Sequence, residues 1–345
     1  MASTVLSDVI EPDVFAPYVQ ELTLEKSLLV KSGIIERNPA LDSFLAGGGR
    51  TIDMPKWQTL ADIAANISND TGTATVNNID TRQERAIRHN RNQVWGAMDL
   101  VSQLAGSDAM DAIANQVADY WVRHDQIMLL NILKGLLLDD TSDSGSDPDL
   151  LVDIAAADDA DMTVANQFNP DAMLDTFQLL GDAQGKISVI AVHSVVHTAM
   201  QKQNLIDYTP DSEANVGFGT YMGKTLLIDD GLAVDTSRTA ADTTTVQPMY
   251  DTVAYAPGAF QWGQGSPRVP AEVDRNPLEG SGGGEEFLVS RREWVLHPVG
   301  FIYSEPSIAG PSPTDAELAL DNAYARVDAD GSRQRAMRFA VLRSN

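Results

Sequence analysis

A mixed α+β fold is what the sequence predicts. Residues 107 to 138 form the longest stretch with apolar side chains at helical spacing. Short strand-like runs lie beyond it, such as ISVIAV at 187 to 192 and TLLID at 225 to 229. No segment repeats at the period of about 20 to 50 residues that marks a solenoid or propeller.

The elements follow in chain order. Residues 1 to 45 alternate short apolar clusters with polar residues (VLSDVI, DVFAPYVQELT, SLLVKSGIIE) and contain Pro12, Pro17 and Pro39. That pattern describes an extended arm with one or two short helical turns. Gly47, Gly48 and Gly49 break the chain, and Thr51 to Leu60 reads as a strand that Pro55 confines to an edge. A polar tract rich in Asn, Asp and Thr runs from 61 to 81, and a second strand is expected at 92 to 100. Residues 46 to 105 therefore read as a protruding β-hairpin whose tip buries little of its own surface.

In the long helix Ser107 is placed to cap the N-terminus, with Asp108 and Asp111 in the first turn. Its side chains at 110, 113, 114, 117, 120, 121, 124, 127, 128 and 132 keep to one periodic stripe. At 1.5 Å per residue the helix is a beam of about 45 Å, longer than a small globular core. Between Asp139 and Asp161 stand nine Asp and no Lys or Arg, a boundary or surface insertion. Asn169-Pro170 then opens an amphipathic helix that reaches about residue 183. A buried strand at 187 to 192, a helix at 194 to 203 and a strand at 225 to 229 follow. A strand at 252 to 260 is followed by a loop at 263 to 269. Two paired strands are expected at 286 to 290 and 294 to 303.

Composition narrows the function. The 345 residues include no cysteine, which removes disulfides, thiolate metal sites and cysteine nucleophiles. No apolar run spans a bilayer and the N-terminus lacks the pattern of a signal peptide, so a soluble protein made in the cytoplasm, with no membrane partner, is expected. The net charge of −25 opposes a general affinity for nucleic acid. It is unevenly spread, with Arg82, Arg85, Arg88 and Arg91 at every third position and further Arg at 326, 333, 335, 338 and 343. Separated acidic and basic patches suit self-association.

Three stretches imitate chemistry. Gly223-Lys224-Thr225 resembles the end of a phosphate loop, but position 218 is Phe where the motif needs Gly, and the lysine leads into a strand instead of opening a helix. His193 and His197 have the spacing of a zinc-protease helix, but Ser194 stands where the catalytic Glu belongs. The acidic tract lacks the ligand spacing and closing Glu of an EF-hand. No catalytic residue, cofactor site or metal site is expected, and an NTPase or metal-dependent hydrolase is the remote alternative.

An arm, a protruding hairpin, a beam helix and a body without an active site describe an assembly protein. The order of VIEPDVFAPYVQELTLEKSLLVKSGII (9 to 35), GGRTIDMPKWQTL (48 to 60), the helix, ISVIAVHSVVHTAMQKQNLIDY (187 to 208), GTYMGKTLLIDDGL (219 to 232) and FLVSRREWVLHPVGFIY (287 to 303) resembles the tailed-bacteriophage major capsid proteins of the Hong Kong 97 type. The resemblance implies an N-terminal arm (1 to 45), an extended loop (46 to 105), and a peripheral domain (106 to 186) with a spine helix (107 to 138). It also implies an axial domain (187 to 270) and a return to the peripheral domain with a C-terminal tail (271 to 345).

On that resemblance the chain is expected to build hexamers and pentamers of an icosahedral shell around double-stranded DNA, bound without sequence specificity. Further implied partners are a portal, a scaffolding protein encoded separately and an optional decoration protein, with assembly in the bacterial host's cytoplasm. Encapsulin-like and gene-transfer-particle shells are the alternatives within the fold. Lys56, Trp57, Arg82, Arg85, Arg88 and Arg91 are the candidate intersubunit contacts. Some relatives lock their shells with Lys-Asn isopeptide bonds, for which Lys56 is the only lysine between 32 and 133; no other residue supports such a bond.

Overall fold

The computed structural model describes residues 32–57, 60, 64–68, 73, 75–79, 81–105, 108–142, 150–156, 163–208, 219–232, 234–235, 248–305, 308–327 and 337–345. Most of the expected arm, the proposed cap Ser107, much of the acidic tract, Gly217 and Phe218, and Arg333 and Arg335 lie outside the described residues.

β1 (Ile35–Arg37) leads into α1 (Pro39–Leu45), where the Asn38 side chain accepts from the Ala40 amide at 3.0 Å. β2 (Thr51–Trp57) and β3 (Thr81–Ile87) make an antiparallel hairpin, followed by β4 (His89–Met98), α2 (Asp99–Ala105) and α3 (Ala109–Ser142). β5 (Leu151–Asp153), α4 (Pro170–Gln178), β6 (Val189–Val192) and α5 (Ser194–Lys202) come next. Asn169 caps α4 and Pro170 stands at its first position, as the sequence pattern requires. The chain continues through β7 (Asp207–Tyr208), β8 (Gly219–Tyr221), β9 (Lys224–Ile228), β10 (Val234–Asp235), β11 (Met249–Tyr255) and β12 (Phe260–Gln264). The remaining elements are β13 (Ala271–Asn276), α6 (Glu279–Gly282), β14 (Glu285–Pro298), β15 (Phe301–Tyr303), α7 (Asp315–Leu318), β16 (Tyr324–Arg326) and β17 (Phe339–Ser344).

Three sheets organise these strands. The largest runs β5-β17-β11-β6-β9-β8-β7, with β10 beside β11. Its inner strand β6, VIAV, is buried at every position, as a strand covered on both faces must be. The second sheet is built on β14, which pairs with β4 along one edge and with β13 and then β12 along the other. The third has the order β16-β15-β3-β2, so β2 with its Pro55 is the expected edge strand.

Helix α3 joins these parts. Its 34 residues span about 51 Å. The C-terminal half buries Met128, Leu129, Ile132, Leu133, Leu136 and Leu137 in the main core, whereas Ala114, Asn115, Gln116, Ala118 and Asp119 in the N-terminal half are exposed. A second, small core of Leu41, Leu45, Ile52, Met54, Ala86 and Val295 fixes the root of the β2–β3 hairpin.

The structure corrects four expectations. The hairpin partner of β2 is β3, not a strand at 92 to 100, which instead belongs to β4 and pairs with β14. In TRQERAI, which no apolar alternation marks as a strand, Glu84 and Arg85 find ion partners and Ala86 and Ile87 are buried. The two strands expected at 286 to 290 and 294 to 303 are one continuous strand, β14, with β15 after a turn. Arg291, Arg292 and Glu293 do not interrupt it because each has its own partner, Glu272, Asp125 and Arg88. The long helix runs past 138 to Ser142, into the acidic tract. Finally, 339 to 344 is no tail: β17 is inserted between β5 and β11, next to the strands of the 187 to 270 region.

Candidate functional site

The β2–β3 hairpin leaves its small core at Met54 and from there carries apolar side chains into solvent. Trp57 is 72% exposed, and Leu60, Ile67, Val76 and Ile79 in the connecting segment are exposed as well. Covering one such side chain is worth about 1.5–3 kcal/mol. A row of them on an arm without a core of its own marks a surface built to meet another surface.

The root of the arm is anchored electrostatically. Glu84 is buried and meets Lys56 Nζ at 2.7 Å and His297 Nε2 at 3.5 Å, while its second oxygen accepts from the Gly300 amide at 3.3 Å. Burial pushes the Glu84 carboxyl up, but His297 and Lys56 outweigh it and hold the group below its ordinary value. Lys56 itself remains about half exposed.

The four arginines do not form one patch. A spacing of three on strands of period two sends Arg82 and Arg85 to opposite faces. Arg82 donates to the Val327 carbonyl at 3.3 Å and Arg85 pairs with Asp53 at 2.7 Å. Arg88 pairs with Glu293 at 3.0 Å and donates to the Leu45 carbonyl at 2.7 Å. Arg91 pairs with Asp315 at 3.0 Å and donates to the Pro313 carbonyl. Each therefore already has a partner within its own chain.

A constellation not foreseen from the sequence holds α3 to the sheet of β12 and β14. The Arg292 guanidinium lies 4.9 Å from the Trp294 ring, 5.3 Å from Trp121 and 5.6 Å from Trp262. The same nitrogen reaches both oxygens of Asp125, at 3.2 and 3.0 Å. Trp121 Nε1 donates to Ser290 at 2.9 Å. Burial pushes Asp125 up to about 6 against the pull of Arg292. The available signal was an acid one position beyond His124, on the edge of the helical stripe, together with an arginine next to a tryptophan-bearing run in the strand Glu285–Pro298.

Beside this seam, α3 and β4 enclose an open groove of about 190 Å³, lined by Trp95, Ala112, Ile113, Gln116, Val117, Tyr120 and Arg123. Trp95 meets Tyr120 edge-on at 5.2 Å.

The stretches that imitate chemistry resolve into local structure. Met222 and Gly223 are the two turn residues between β8 and β9, with φ of 49° and 73°, and Tyr221 pairs with Lys224 across them. Two positive φ angles are what a two-residue type I′ hairpin needs, so the glycine serves a turn. Lys224 is the first residue of β9 and not the start of a helix. His193 ends the strand segment and accepts from the Val195 amide at 3.2 Å, capping α5. Among the described residues no three His, Asp or Glu side chains gather as a metal requires, and no helix is long and apolar enough to cross a membrane.

With this geometry in hand, comparison with known proteins is informative. No family model matches the chain. It is 34% identical over 329 residues to the major capsid protein of Bacillus phage SPP1, covering 95% of both chains. Among solved structures it is similar to the capsid of Ralstonia phage GP4, with a TM-score of 0.58 at 10% identity over 99% of this chain and 98% of that one. The capsid of cyanophage Pam1 gives 0.56 at 9% identity, over 99% and 98%.

Proposed function

This chain belongs to the tailed-phage major capsid proteins of the Hong Kong 97-type fold and makes up the virion's shell, and from that premise we propose how its parts serve assembly. Copies of the chain join as hexamers and pentamers of an icosahedral shell that encloses double-stranded DNA, held without sequence specificity. A separate scaffolding protein, a portal and an optional decoration protein complete the particle, which assembles in the host cytoplasm. The chain acts as a structural protein, with neither catalysis nor a cofactor.

Within this reading residues 1 to 45 are the arm, 46 to 87 the extended loop and α3 the spine, while β4, which pairs with β14, belongs to the peripheral domain. The axial domain takes 187 to 270 together with β5 and β17, which are hydrogen-bonded into the same sheet. The rest of 106 to 186 and of 271 to 345 makes the peripheral domain. The hairpin β2–β3 reaches over a neighbouring copy, and the exposed apolar row from Trp57 to Ile79 is the observation that carries this. Trp57 and Lys56, with Arg82 and Arg85, are the contact residues on the arm. Arg88 and Arg91 act at its root through Glu293 and Asp315 of their own chain.

Electron microscopy of the expressed protein, alone and with its scaffold, tests the proposal. Closed shells with hexameric and pentameric capsomers and the hairpin lying on a neighbour are the expected result. A monomer under all conditions, or shells whose hairpin touches only its own chain, would overturn it.

A further inference from the structure

On strands of period two, Ile52, Met54 and Lys56 of β2 share a face, as do Ala86 and Glu84 of β3 and Val295 and His297 of β14. The apolar members close the small core at the hairpin's root. The polar members continue that face outward, and there one carboxylate oxygen serves two nitrogens. Glu84 Oε2 lies 2.7 Å from Lys56 Nζ and 3.5 Å from His297 Nε2. Glu84 and His297 are buried, whereas Lys56 is half exposed. Glu84 Oε1 separately holds β3 to the turn after β14 through the Gly300 amide. The other charges around this face are engaged elsewhere. Arg88 and Glu293, at its inner end, pair with each other at 3.0 Å. Arg82 donates to the Val327 carbonyl, and Arg85, on the opposite face, pairs with Asp53. Arg50 is 3.8 Å from Glu305. Glu36, beyond Gln261 on the β12 side of His297, is exposed and lies 3.8 Å from Arg338.

We propose that these three groups form a proton-operated latch at the root of the hairpin: one proton taken up by the His297–Glu84 pair moves Oε2 from Lys56 to His297 and frees the outer end of β2. Charge counting carries the argument. With His297 neutral and Glu84 ionised the pair carries one negative charge, which Lys56 balances. After one proton the pair is neutral whether Nε2 or Oε2 holds it, because the proton lies between those two atoms in either case. Lys56 then faces no net counter-charge, and its half-exposed ammonium is better solvated by water. The direction with pH follows from the same surroundings. Burial pushes His297 below its ordinary 6.5 against the pull of Glu84. Burial raises Glu84, but His297 and Lys56 outweigh it and hold the carboxyl below its ordinary 4.5. Both groups therefore bind protons less readily in the closed latch than in an opened one, so the latch weakens as pH falls below about 6.5. All three residues belong to one chain, and the inference stands apart from any contact between copies.

Hydrogen exchange of the full-length unassembled chain, read by mass spectrometry at pH 7 and pH 5 and corrected for intrinsic amide rates, tests this. Protection of residues 51–57 should fall about tenfold at pH 5, while that of β6 in the main core holds. Lys56→Met, at a half-exposed position, should remove the pH dependence by removing the bond that the proton breaks. His297→Gln should give equal protection at the two pH values, because Glu84 alone stays ionised at pH 5. Glu84→Gln, a stand-in for the protonated carboxyl, should show the acid level of protection already at pH 7. Equal protection of wild-type 51–57 at both pH values would overturn the latch. So would a fall that persists in Lys56→Met, or one that β6 shares, since either places the responsible group elsewhere. Should a substitution at the buried positions 84 or 297 prevent folding, the comparison of wild type with Lys56→Met still decides.

Discussion

At position 292 an arginine stacks against three indoles and pairs with a carboxylate from the helix facing it. Removing one partner of a buried pair costs more than the pair contributes, because the other charge stays buried without compensation. Arg292→Ala should therefore destabilise the unassembled chain by about 3 kcal/mol or more, measured by urea unfolding. Arg292→Lys should recover only part of this, because an ammonium lacks the planar fork that stacks and bridges. Asp125 adds a pH dependence of known sign. Its carboxyl is raised to about 6 from an ordinary 3.8, chiefly by burial. The folded chain holds that proton more tightly than the unfolded one, so the contribution of Asp125 favours the fold below about pH 4 and is lost as pH rises through about 6. Two units correspond to about 3 kcal/mol. Between pH 4 and 7 the wild type should lose about that much stability relative to Asp125→Asn. A constant difference between the two proteins across that range would refute the assignment.

The elements show how close packing overrides local preference. Gly135 lies inside α3, where glycine costs about 1 kcal/mol relative to alanine. It is there because a Cβ at 135 would overlap the carbonyl oxygen of Leu318 and press on that of Leu320, where α7 and the residues after it cross the helix. Gly135→Ala should consequently destabilise, by about 2 kcal/mol or more, despite its better helix propensity. A rise in melting temperature would show that the crossing can move aside. Elements with strong local grammar were legible in the sequence: the Asn169-Pro170 cap, the apolar run of β6 and the periodic α3 all lie within a few residues of their predicted bounds. Charged strands were not, since β3 and the middle of β14 are stabilised by ion partners far away in sequence, such as Glu84 with Lys56 and His297, or Arg292 with Asp125. β17 is not legible locally for a related reason: its place depends on β5 and β11. The arginine spacing of three describes one patch only along the chain, because on a strand of period two it sends successive arginines to opposite faces. Lys56 and Trp57 are exposed because nothing among the described residues covers their outer side.

For the whole molecule the division of labour is between a core that one chain completes and surfaces that it leaves open. Stability of the single chain and formation of the shell should then separate under mutation. Trp57 is 72% exposed, so Trp57→Ala should leave unfolding of the unassembled chain unchanged within about 0.5 kcal/mol. Particle yield should fall about tenfold or more, as for an aromatic anchor lost from every copy of a repeated contact. Sedimentation of assembly mixtures alongside urea melts of the unassembled variant measures both. Equal yields from variant and wild type would move the contact elsewhere on the hairpin. The same arrangement gives the protein an optical signature. Of its five tryptophans, Trp121, Trp262 and Trp294 surround one cation at the helix–sheet seam and Trp95 packs edge-on against Tyr120, while Trp57 is 72% exposed. Unfolding therefore reddens the emission of the three, and docking of the hairpin blue-shifts that of Trp57, so that one fluorescence spectrum follows folding and shell growth as two separable events.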